Sequence, residues 1–170
     1  MIVRSKSGFV APVLALLVLG ALTACSPTTS ASAGGSSTGG GGSSTDINVC
    51  NLVGASAASS AMGLTFTGAK SGALTSGVDA CTYSTSASSV ALIATVYQPS
   101  SGMNWPTMEG VLEGTGAVKS VSGVGDKASL GNLQLNVQAG SRIIAIEGES
   151  VSTNPSGAEA LAKKLVSALG

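Results

Sequence analysis

The chain has 170 residues, with 8 basic and 8 acidic side chains, no His and only 3% aromatic residues. The lack of His removes the Ser-His-Asp and Cys-His arrangements of nucleophilic catalysis and the usual zinc sites. No Lys/Arg stripe runs through it, which argues against a nucleic-acid partner and against polybasic membrane docking.

Taken from the N-terminus, Arg4 and Lys6 precede an apolar run from Phe9 to Leu22 that is too short and too rich in small residues to span a membrane. It reads as a secretory signal over residues 1–24. The run closes on Leu22-Thr23-Ala24-Cys25, which resembles the bacterial lipobox, in which the Cys is diacylated and the chain is then cut just before it. An ordinary signal-peptidase site wants a small residue three positions before the cut, and Leu22 fits that badly. Cys25 is therefore expected to carry lipid and to hold the protein to the extracytoplasmic side of the cell membrane. Removing Arg4 and Lys6 with the signal leaves 6 basic residues against 8 acidic ones, a net charge near −2.

Residues 26–45 are almost wholly Ser, Thr, Gly and Ala, so they cannot bury enough surface to offset their ordering entropy. With Cys25 they make a 25–45 tether, whose end-to-end span as a Gly/Ser coil is roughly 25 Å. Residues 46–170 are the right size for a single domain. Its core must come from Val, Leu, Ile and many Ala, because aromatic residues are scarce. With Cys25 committed to lipid, Cys50 and Cys81 remain in a compartment that permits oxidation, and they are expected to be bonded. A metal pair would need further ligands, and a redox couple a Cys-x-x-Cys spacing.

Within the domain, the first helix is expected over Ala55 to Met62, ending at Gly63. Strands are expected at Leu64 to Thr67, Ala80 to Ser84 and Val90 to Tyr97, the last apolar on both faces and so central. Asn104-Trp105-Pro106 caps a short helix that stops at Gly114. Val118 to Val121 and a Gly123-Val124-Gly125-Asp126 turn follow. Leu133, Leu135 and Val137 then alternate with Asn132, Gln134, Asn136 and Gln138, the pattern of a sheet with one wet face. Ala139-Gly140-Ser141 turns this strand into an antiparallel partner, Arg142 to Glu147. Asn154-Pro155 starts a closing helix with Ala158, Leu161, Ala162, Leu165 and Leu169 on one stripe. The fold class is α+β: one antiparallel β-sheet, with short N-terminal and middle helices and a C-terminal amphipathic helix packed on it.

Several of these segments together resemble the actinobacterial lipoproteins grouped as domain of unknown function 3558. They are the lipobox with its Ser/Gly tether, Cys50-Asn51-Leu52-Val53 leading to Met62-Gly63, Cys81-Thr82-Tyr83, the run Val121 to Ala128, and Ala160-Leu161-Ala162. A more distant likeness is to the extracellular sensor domain of PknH-like kinases. The resemblance implies a cell-envelope lipoprotein and brings no catalytic residues.

A direct search for chemistry leaves little. There is no G-x-S-x-G elbow and no Ser-x-x-Lys, so an enzyme is not expected, and neither is a cofactor or a metal. Glu109 with Glu113, and Glu147 with Glu149, could pair for acid/base work or calcium, but ordinary solvated charge accounts for both pairs. Gly123 to Ala128 formally reads G-x-G-x-x-A, yet it leads into a strand, whereas a dinucleotide fingerprint opens a helix. Asp126 is expected to bond nearby backbone N–H groups there. Trp105, Tyr97 and Tyr83 are either partly buried core or a small contact or ligand-lining surface. The functional expectation is a non-enzymatic binding, sensing or assembly module whose partner is an envelope protein or a lipid ligand. Its alternative is a carrier holding a lipid in an apolar cavity between sheet and helices.

Overall fold

The computed structural model of the chain describes residues 47–114 and 116–170; the expectations for the signal, Cys25 and the tether fall outside these residues. Two short helices come first, α1 (Val49–Leu52) and α2 (Ala55–Met62). A meander follows of β1 (Gly68–Thr75), β2 (Val78–Ser84) and β3 (Leu92–Tyr97). Helix α3 (Trp105–Gly114) leads to a second meander of β4 (Lys119–Val121), β5 (Lys127–Leu130), β6 (Gln134–Ala139) and β7 (Arg142–Glu147). The chain closes with α4 (Glu149–Thr153) and α5 (Pro155–Leu169). No helix among the described residues is long and apolar enough to cross a membrane.

All seven strands form one antiparallel sheet in the order β1-β2-β3-β7-β6-β5-β4. This order dictates where α3 lies. The chain leaves β3 and must reach the far edge of the sheet, four strand spacings or roughly 19 Å away, before returning strand by strand to pair β7 with β3. A 10-residue helix supplies about 15 Å of that crossing.

Strand alternation assigns the two faces. On one, Cys81, Tyr83, Leu92, Ala94, Val96, Leu135, Val137, Ile144 and Ile146 are fully buried. They pack against α1, α2 and α5, whose Ala158, Leu161, Ala162 and Leu165 are equally inaccessible. Asn154 ties these helices together. Its Oδ1 accepts from Gly157 N at 3.0 Å, capping α5, while its Nδ2 donates to the Met62 carbonyl at 2.7 Å, closing α2. The disulfide between Cys50 and Cys81, with Cα atoms 5.1 Å apart, fixes α1 to β2.

The second face corrects the wet-face expectation. Ala80, Thr95, Ala145, Asn136 and Ser129 form one cross-strand row there, and all of them are buried. Helix α3 lies over this side through Trp105, Met108 and Leu112. Small side chains in the row let a helix approach closely, and Gln134 Nε2 satisfies Asn136 Oδ1 at 2.8 Å.

Two further differences have local causes. Leu64 to Thr67 is a loop, because Phe66 turns into the core with its ring 5.3 Å from that of Tyr83 and its N–H donates to Ser59 Oγ on α2. The ladder begins only at Gly68. Asp126 Oδ2 accepts from Gly140 N at 2.7 Å, so it braces the β6–β7 turn instead of its own loop. That turn has Gly140 at φ 60°, as the hairpin reading requires.

Candidate functional site

A groove of about 760 Å³ lies at the end of the sheet where β3 starts and β7 finishes. The sequence places apolar residues just outside the strand ends here, where no strand or helix covers them. Of the exposed large apolar side chains among the described residues (Leu64, Leu74, Val90, Val111 and Leu133), three line this groove: Leu64, Val90 and Leu133. They come from three separate loops. Scattered exposed apolar residues are normal, but convergence around one concavity makes this groove the candidate binding site.

The floor of the groove is set by register. Ile93, Glu147 and Gln134 are consecutive cross-strand partners on β3, β7 and β6, so their side chains share one face and stand side by side. Glu147 follows the apolar run Ile143 to Ile146, and half of it is withdrawn from water. Burial pushes its carboxyl above the ordinary range. No hydrogen bond or ion pair from the described residues compensates it. Ser150, on the first turn of α4, contributes a buried Oγ that likewise lacks a partner.

Gly148 brings these groups together. Its φ of 148° is open to glycine, and a Cβ there would come within 2.7 Å of the Ala91 carbonyl oxygen. The chain can therefore leave β7, pass the start of β3 and turn into α4 in a single residue. Gly148 N also donates to the Leu133 carbonyl at 3.0 Å, fixing that loop beside the groove.

The aromatic residues singled out from sequence do not assemble. Tyr83 is fully buried on the helix-covered face, and its hydroxyl donates to the Val53 carbonyl at 2.7 Å. Desolvation pushes its pKa up to about 12. Tyr83 is thus a core residue and lines no contact surface. Trp105 and Tyr97 are together on the opposite face, packed with Met108 and Ile143. Tyr97 is only partly exposed, and its pKa is raised by burial first and then by the charge of Glu147. Cys50 and Cys81 are joined as expected. Glu109 and Glu113 lie outside the groove, and no group of three metal-ligating side chains occurs among the described residues.

The residues that build the groove were legible only in part. Leu133 reads as one more alternating strand residue, and Glu147 as a solvated charge. An acidic residue directly after four apolar ones was the available signal. The space between the sheet and α2 and α5 is filled by the fully buried side chains named above. A smaller cavity of about 350 Å³ beside the β6–β7 turn has its one cation engaged, since Arg142 Nη1 donates to the Leu169 carbonyl at 3.1 Å.

Fold and site together define a disulfide-bonded α+β domain with an open, amphipathic groove at one end of its sheet. No protein-family model, no curated protein and no solved structure matches the chain.

Proposed function

We propose that this chain is an exported cell-envelope lipoprotein, of the kind grouped as domain of unknown function 3558. In this reading lipid on Cys25 and the Ser/Gly tether hold it to the membrane, and its folded domain is a non-enzymatic binding module. The observation that carries the binding role is the convergence of Leu64, Val90 and Leu133 on a groove that also contains the half-buried Glu147 carboxylate, which has no partner among the described residues. A ligand with an apolar body and a polar end would satisfy the apolar rim and the carboxylate at once. The membrane setting rests on the Leu22-Thr23-Ala24-Cys25 motif after a charged and then apolar N-terminus. The filled core under α5 favours an open binding site over a carrier with an enclosed chamber.

Mass spectrometry of the protein extracted from its native envelope tests the binding role. A non-covalently bound small molecule is expected in the wild type and is lost on Leu133→Ser, which removes an apolar side chain at an exposed position without adding charge. Wild-type protein that carries nothing, or a variant that keeps the molecule, refutes the groove as the site.

A further inference from the structure

The charge pattern of the groove narrows the ligand further, an inference that rests on the groove being a binding site. Two carboxylates line it, Glu147 and Glu149, and none of its lining residues is Lys or Arg. Glu149 is exposed, whereas Glu147 sits half-buried between Ile93 and Gln134 in the register. A carboxylate drawn out of water without a partner costs free energy, and an incoming cation removes that cost. Gln134 spends its Nε2 on Asn136 Oδ1, so what it can offer a ligand is its carbonyl oxygen, an acceptor beside the acceptor Glu147. The Glu147 carboxylate and the Gln134 carbonyl oxygen, beside the apolar rim of Leu64, Val90 and Leu133, match an ammonium head on an aliphatic body.

We propose that the groove selects a cationic amphiphile, with its ammonium group on Glu147 and its aliphatic part against Leu64, Val90 and Leu133. A divalent metal ion is less well served, because no group of three His, Cys, Asp or Glu side chains comes together among the described residues, whereas an ammonium needs only one carboxylate and an acceptor beside it. An anionic amphiphile would set like charges together.

The test titrates the full chain in phosphatidylcholine nanodiscs with n-hexylammonium, n-hexanol and n-hexanoate, using empty nanodiscs as the blank in calorimetry. Hexylammonium is expected to bind at least about tenfold more tightly than hexanol, with hexanoate weakest. Glu147→Gln should bring hexylammonium within about twofold of hexanol. Hexanol binding as tightly as hexylammonium, or a Glu147→Gln variant that keeps the preference, overturns the charge selection and leaves the groove as an apolar site. No saturable binding of any of the three above the blank overturns the groove as a binding site as well. The wild-type ranking decides the matter even if the variant fails to fold.

Discussion

At the scale of single residues, Glu147 terminates an apolar strand and is half-buried, with no cation paired to it among the described residues. Its folded-state pKa lies above the 4.5 of an unperturbed glutamate. Between these two values the folded protein binds more protons than the unfolded chain, so this group makes stability fall as pH rises through that window. Below the window both states are protonated and the penalty is absent; above it the penalty is complete. Glu147→Gln imitates the neutral form and should abolish this contribution. Urea unfolding of both proteins from about pH 4 to 7 should therefore show the wild type losing stability relative to the variant as pH rises. A wild type that instead gains on the variant would show that the carboxylate has a partner in the folded state. At the same scale, the Cys50–Cys81 bridge was legible because counting thiols needs no geometry, whereas Glu147 was not. Its burial depends on Ile93 and Gln134, which register alone sets beside it.

At the scale of elements, helices were easier to read than strands. Caps and stops are local signals, and α2, α3 and α5 run between the residues that Gly63, Asn104, Gly114 and Asn154 mark. Strand β1 escaped notice because its sequence is small and polar, and all but its first residue are exposed at the sheet edge. It is held by pairing with β2 and not by a hydrophobic face. Helix α4 was missed as well: its five residues have one buried member, Val151, too few for a periodicity. The two large helices differ in what their apolar residues do. Leu161 of α5 is inaccessible between the sheet and α2, whereas Val111 of α3 is 54% exposed. Leu161→Ala should cost about 2 to 5 kcal/mol of unfolding free energy, and Val111→Ala about 0.5 kcal/mol or less. Equal losses in chemical denaturation would mean that the outer side of α3 is covered in solution.

At the scale of the whole molecule, strand order was the part no local signal could supply. The fold closes where β3 meets β7, a pairing of Ile93 with Glu147 that joins the two meanders across the middle of the sheet. Neither meander owns a core, since Ala94 and Val96 from the first and Leu135 and Ile146 from the second share one apolar cluster with α5. The disulfide, by contrast, lies wholly on the N-terminal side, closing a separation of 31 residues. It could have stabilised only that half. If the β3–β7 pairing makes the two halves one cooperative unit, removing the bridge must weaken both together. Replacing Cys50 and Cys81 with Ala should lower the unfolding free energy by about 3 to 4 kcal/mol, the chain-entropy value for a loop of this length. Fluorescence of Trp105, on the face opposite the bridge, should shift to the same lower urea midpoint as far-UV circular dichroism, in a single transition. A Trp105 midpoint that stays in place while the dichroism moves would show that the halves unfold separately, and that the central strand pair does not couple them.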